Sequence, residues 1–207
     1  MYATHGAWFA LLLALAAVVA PWWQLPRIRI AAAITGTFVV AMACNVADAM
    51  VAADLAKVWF GLLAGAAFVR VIERPWWLLP IAVCVPLADA WSVYSSRGVT
   101  HAVVDKGLRE PRWIEWPTIA TPIAGFPYDG FGRIGTVDVL FAGLFVTVAT
   151  RWQLGRIRTC IALWVGLMAT SVTVFELEDL AVPALPMLCV AFLLVQLPAL
   201  VLDARAA

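Results

Sequence analysis

Two aspartates stand inside long apolar runs of the sequence, Asp89 in LADAWSVYSS and Asp138 in GTVDVLFAG. Two carboxylates that lie close together at low dielectric constant cannot both ionise readily, and they share one proton. One then acts as a general base on a water molecule, while the protonated one donates to the carbonyl oxygen under attack. Such a pair can hydrolyse an amide without a metal, a cofactor or a covalent nucleophile.

The apolar surroundings of these aspartates extend over the whole chain. Of its 207 residues, 64% are hydrophobic and 13% are charged, and the mean hydropathy is +0.94. This composition lies outside the balance of soluble domains and predicts an integral, multi-pass membrane protein in contact with the lipid bilayer. A chain rich in Ala, Val and Arg, without organelle-targeting features, indicates a prokaryotic plasma (inner) membrane. The net charge of +1 gives no basis for binding nucleic acid.

Charged and Pro/Gly-rich joints divide the chain into apolar segments of about 20 residues, the length that a spanning helix needs. Most joints are short, so successive helices should be antiparallel neighbours. The long connection 97–133 is amphipathic near residues 101–110 and then rich in turn residues. Gly61 and Gly65 form a GxxxG motif suited to close helix packing. We predict an all-α bundle of seven transmembrane helices, at residues 7–23, 30–50, 56–73, 76–96, 134–151, 157–176 and 181–202.

The predicted helices place the two aspartates at similar depth. At a rise of about 1.5 Å per residue, Asp89 lies roughly 12 Å from Arg97, and Asp138 roughly 8 Å from Arg133. Both arginines mark the same predicted membrane face, so the carboxylates are expected at comparable depth on adjacent helices. Each aspartate, taken alone, has a second explanation as a protonated side chain hydrogen-bonded to a neighbouring helix.

A third motif, formed by Pro183, Ala184 and Leu185, stands at the start of the last predicted helix. With the two aspartate motifs, it resembles the presenilin and signal peptide peptidase family of intramembrane aspartyl proteases. The resemblance covers about residues 76–202 and implies a presenilin-like fold with Asp89 and Asp138 as the catalytic dyad. It divides the chain into three N-terminal transmembrane helices (1–75) and a catalytic four-helix half (76–207).

The resemblance also assigns active-site support to Gly135, Thr136 and Val137, which precede the second aspartate. Two residues differ from the usual motifs of the family. Ala88 stands where tyrosine usually precedes the first aspartate, and Val137 stands where glycine usually precedes the second. Because valine is β-branched and stiff, Val137 reduces the backbone freedom beside the aspartate. These differences bear on activity and substrate range.

The tripeptide Pro-Ala-Leu occurs twice, at 183–185 and at 198–200. If the helices alternate in direction, Pro183 lies roughly 6 Å inside the face nearest the aspartates, and Pro198 lies roughly 22 Å further along. Only the first copy is then expected to meet the dyad. Pro183 and Pro186 leave nearby backbone groups free, and these can pair with an extended substrate segment by strand addition.

Three functions are consistent with these residues. The favoured one is an intramembrane aspartyl endopeptidase whose substrates are transmembrane or signal-peptide-like helices. The second is a type IV prepilin peptidase, which also uses two membrane-associated aspartates but has an Ile-Pro stretch that DAWSVYSS lacks. The third is a catalytically silent membrane scaffold or binding protein, for which Ala88 and Val137 argue. Asp48 is the reserve candidate for the dyad, and the oligomeric state stays open.

Overall fold

The computed structural model describes residues 2–110, 115–120, 133–176 and 182–206. Within these ranges the chain forms eight α-helices and one small antiparallel sheet of two strands. The helices are α1 (Tyr2–Val19), α2 (Arg27–Val46), α3 (Met50–Phe68), α4 (Leu78–Tyr94), α5 (Val99–Arg109), α6 (Thr136–Arg151), α7 (Arg156–Glu176) and α8 (Ala184–Arg205). The strands are β1 (Thr118–Ala120) and β2 (Arg133–Gly135).

Six of the described helices are long and apolar enough to cross a membrane, namely α1 to α4, α7 and α8. The chain is therefore a multi-pass α-helical membrane protein by the length and composition of its helices. The segment predicted at 134–151 is also helical, but α6 has only 16 residues. It is shorter than the roughly 20 residues that span a bilayer, because residues 134 and 135 belong to β2.

The predicted boundary that differs most from the structure is the start of the third helix. It was expected at residue 56, and α3 begins at Met50. Asp54, which precedes the predicted helix, and Lys57 both lie inside α3 and pair with each other at 2.9 Å. The ion pair lets two charged side chains remain within an otherwise apolar helix.

Glycines allow α3 and α6 to approach each other closely. A Cβ atom on Gly61 would lie 3.0 Å from Val139 Cγ1, and one on Gly65 would lie 2.6 Å from the backbone nitrogen of Leu144. A side chain at Gly65 would therefore overlap the backbone of α6. The predicted role of the GxxxG motif in close helix packing is confirmed.

The helix α6 lies at the centre of the bundle. It packs along α3 and also contacts α1, α7 and α8. Its middle is fully buried, and the ring of Phe145 stacks on that of Phe192 from α8 with centroids 4.3 Å apart. In contrast, α2 packs mainly on α3 and leaves most of its surface exposed. The element that carries Asp138 is thus the most enclosed helix of the protein.

The connection between α4 and α6 is only partly within the described residues. Its amphipathic stretch forms α5, and Thr118–Ala120 pairs with Arg133–Gly135 to form the sheet. Residues 111–114 and 121–132 of the predicted loop lie outside the described part of the chain. The sheet joins the end of this connection directly to the start of α6.

Candidate active site

The start of α6 positions the Asp138 carboxylate. Gly135, the last residue of β2, is the N-cap of this helix, and its backbone N–H donates to Asp138 Oδ2 at 2.9 Å. Asp138 is the third residue of the helix, where a negative charge is stabilised by unpaired backbone N–H groups and by the helix dipole. The hydrogen bond from Gly135 orients the carboxylate, and Asp138 as a whole is only 9% exposed.

Gly135 provides room for this carboxylate. Its backbone has φ −67° and ψ 142°, which any residue adopts, so no special conformational freedom is used. A Cβ atom at this position would, however, lie 2.8 Å from Asp138 Oδ2. A side chain at this position would therefore displace the carboxylate, and glycine leaves it in place.

The second aspartate, Asp89, lies on α4 and is half-buried. The backbone N–H of Leu185 lies close to its carboxylate, and both residues line the same cavity. Since Pro183 is the N-cap of α8, Leu185 is in the first turn, where N–H groups have no partner within the helix. The Pro-Ala-Leu motif thus meets Asp89 through its main chain.

A single cavity of about 460 Å³ brings the two aspartates together. Asp89 and Asp138 both line it, and their carboxylates interact electrostatically. Helices α1, α4, α5, α6, α7 and α8 all contribute to its walls. The other predicted site residues that line it are Gly135, Val137, Pro183, Ala184 and Leu185.

No family model, no curated protein and no solved structure matches the chain. The chemistry of the cavity is therefore inferred from its own residues. Asp138 accepts from the backbone N–H of Gly135, and Asp89 lies close to the first turn of α8, where N–H groups have no partner within the helix. These N–H groups offset part of the cost of burying a negative charge, which suits a pair that exchanges one proton.

Thr136 lies outside the cavity lining formed by the described residues. Its backbone N–H and its hydroxyl both donate to the carbonyl oxygen of Pro117, at 2.9 and 3.0 Å. Thr136 therefore joins the start of α6 to the residue before β1. The reserve candidate Asp48 is also apart from the cavity, in the exposed turn that follows α2, with φ 55°.

Several cavity residues were not predicted from the sequence. His5 and Phe9 come from α1, and Thr170 and Ser171 come from α7. Nothing in their spacing points to Asp89 or Asp138, because they reach the cavity only through the packing of α1 and α7 in the bundle. Among the described residues, no group of three or more His, Cys, Asp and Glu side chains is placed to hold a metal ion.

Arg133 brings a positive charge to the same cavity. Its guanidinium donates to Thr118 Oγ1 at 3.2 Å and lies 4.0 Å from a carboxylate oxygen of Glu115. Both partners come from the segment around β1. The Arg133 side chain therefore links β2 to the segment around β1 at the cavity wall.

Proposed function

We propose that the protein is an intramembrane aspartyl endopeptidase that hydrolyses peptide bonds in transmembrane or signal-peptide-like helices. The observation that carries this proposal is the shared cavity, which Asp89 and Asp138 line from two different helices, together with the start of α8. Two carboxylates that converge in one mostly buried cavity are the groups needed for general acid–base hydrolysis of an amide.

The reaction requires one ionised and one protonated aspartate. The ionised carboxylate takes a proton from a water molecule, whose oxygen bonds to the carbonyl carbon of the peptide. The protonated carboxyl donates to the carbonyl oxygen, so that a neutral tetrahedral diol forms. Its collapse breaks the C–N bond, returns a proton to one aspartate and delivers one to the departing amine. The dyad then holds one proton again, as at the start.

A transmembrane substrate must be unwound before its backbone reaches the dyad, because helical N–H and C=O groups are occupied. Extended main chain borders the cavity on two sides, at Gly135 in β2 and at Pro183, with φ −66° and ψ 128°. Since the Gly135 N–H is bonded to Asp138 and proline has no N–H, an unwound segment lying between them would donate its own N–H groups to main-chain carbonyl oxygens, one half of the pattern used in strand addition. The cavity walls include Phe9, Val93 and Leu167, which favour apolar substrate side chains.

The test is hydrolysis of a panel of fluorogenic single-span peptides in liposomes. We expect the wild-type protein to cleave members of the panel within the span. Asp89→Asn and Asp138→Asn should each remove activity, because an amide neither accepts the proton nor carries the charge. Asp48→Asn is the matched control, since it makes the same change in an exposed turn, and it should leave activity unchanged.

The position of the cut separates the alternatives. A cut just outside the span, in a polar segment, would favour the prepilin-peptidase hypothesis over intramembrane cleavage. Activity that persists in folded Asp89→Asn or Asp138→Asn protein would exclude the dyad. A folded wild-type protein that cleaves no peptide of the panel would favour the silent scaffold.

A further inference from the structure

A buried ion pair lies in α3, apart from the cavity. Lys57 Nζ is 2.9 Å from Asp54 Oδ1, and the two side chains are 5% and 12% exposed. Neither residue lines the cavity. Charged side chains are rarely buried unless they are paired, and taking both out of water carries a large desolvation penalty. Neighbouring polar groups must therefore offset the desolvation penalty of the pair.

Both members of the pair bind the segment that contains β1. The Lys57 ammonium donates to the carbonyl oxygens of Glu115 and Thr118, at 2.6 and 3.0 Å. The second carboxylate oxygen of Asp54 accepts from the backbone N–H of Ala120 at 3.0 Å. The ammonium thus has three acceptors, and two of them are main-chain groups of residues 115–118.

The segment held in this way is bonded to the start of α6. Thr118 pairs with Gly135 in the sheet, and the carbonyl oxygen of Pro117 accepts from Thr136. Gly135 in turn donates to Asp138. Hydrogen bonds, joined by short stretches of main chain at 117–118 and 135–136, therefore connect the ion pair in α3 through β1 to the carboxylate of Asp138.

The main-chain partners set this pair apart from an isolated buried ion pair. Replacing a buried ion pair by apolar side chains of similar size is often neutral or stabilising, because the desolvation penalty disappears. Here the same replacement would also leave the carbonyl oxygens of Glu115 and Thr118 and the N–H of Ala120 without these partners. What the pair adds is a defined position for β1.

We propose that Lys57 and Asp54 are positioning residues that fix β1, and through it the turn from Gly135 to Asp138, in the arrangement needed for hydrolysis. This inference rests on the proposed peptidase function. Neither residue lines the cavity, so the pair acts on the reaction indirectly, by way of the sheet.

The decisive variant is Asp54→Leu together with Lys57→Met, which removes both charges without leaving one of them buried alone. We expect it to fold, and its kcat to fall about 100-fold with KM within about twofold of wild type, because small displacements of a catalytic group are enough for such losses. Arg27→Met at the start of α2 is the control, since it removes the charge of an exposed residue far from the sheet in sequence, and it should leave kcat unchanged.

Amide hydrogen exchange gives a readout that does not depend on proteolysis. In the double variant, exchange in peptides covering 133–138 should be about tenfold faster, because β1 no longer holds its partner strand. Lys57→Arg is a second variant that keeps the charge, and its planar guanidinium does not reproduce the three directions of the ammonium. We expect intermediate exchange and intermediate kcat for it.

Each outcome decides a separate question. Unchanged exchange at 133–138 in the variants would overturn the positioning role, whatever the activity. Faster exchange with unchanged kcat would mean that the pair serves structure alone, which also overturns the inference. Faster exchange in the variants, with a wild type that cleaves no peptide, would establish that the pair holds the Gly135–Asp138 turn and would favour the silent scaffold over the peptidase.

Discussion

The backbone N–H of Leu185 in the first turn of α8 faces the carboxylate of Asp89 on α4. The contact is made by the main chain, so the side chain of Leu185 is free to pack in the core, where it is 4% exposed. A proline at the N-cap position starts the helix at a defined residue. The motif therefore places a helix N-terminus, with its partial positive charge, beside one aspartate.

Removal of this N–H should impair the reaction while the fold is retained. If Leu185 is replaced by its α-hydroxy acid, the amide becomes an ester that has the same side chain and no donor. We expect kcat to fall about tenfold or more, because hydrogen bonds to charged groups are stronger than average. Single-turnover cleavage in liposomes measures the effect.

The matched control is the same ester at Leu202, an exposed position near the end of α8. Both replacements remove one N–H of the same helix, but only that of Leu185 faces the dyad. Equal losses of kcat in the two proteins would contradict a specific role for the Leu185 donor.

Gly135→Ala should separate activity from stability. The backbone of Gly135 suits any residue, so we expect the free energy of unfolding to stay within about 1 kcal/mol of wild type. The new methyl group would lie 2.8 Å from Asp138 Oδ2 and displace the carboxylate, so kcat should fall by about tenfold or more. Gly36→Ala on α2, where a Cβ atom meets nothing within 4 Å, is the control.

Val137→Gly should widen the range of peptides that are cleaved. The Val137 side chain is 55% exposed and lines the cavity next to Asp138, so its removal enlarges the space beside the dyad. Val137→Ala removes most of the volume but keeps a Cβ atom, and comparing the two variants separates volume from backbone freedom. Cleavage profiles over peptides with small and large side chains at the cut test this, and identical profiles for all three proteins would refute it.

Gly65→Ala should destabilise the protein by about 1–3 kcal/mol, the range found for overpacked cores. The added methyl group would overlap the backbone of α6 at Leu140 and Leu144. Thermal unfolding in detergent measures the change, with Gly36→Ala as the control. Unfolding of Gly65→Ala at the wild-type temperature would show that α3 and α6 can separate without loss.

Much of the helical framework could be predicted because hydropathy over about 20 residues identifies apolar helices. The meeting of Asp89, Asp138 and the start of α8 could also be expected, since alternating helix directions put all three at one face. The presenilin-like arrangement and the dyad stay predictions. The close approach of α3 and α6 could be expected because GxxxG is a local pattern with a direct steric meaning.

The sheet and its anchor could not be predicted. A strand of three residues is too short to show alternation, and the partner of Thr118 is Gly135, on the far side of a long connection. Asp54 lies just outside the helix predicted at 56–73 and Lys57 near its start, so the sequence does not indicate that both are buried. Their burial depends on hydrogen bonds with carbonyl and N–H groups of residues 115–120. Those residues are distant in sequence, so no local pattern predicts the contact.

The shortness of α6 has a consequence for the supply of water. Sixteen residues give a helix about 24 Å long, about 6 Å less than the hydrocarbon thickness of a typical bilayer. Because other helices rather than lipid surround α6, the missing length is taken up at its Asp138 end by the sheet and by the cavity. The water that hydrolysis consumes can then reach the carboxylates through this cavity and does not have to cross lipid.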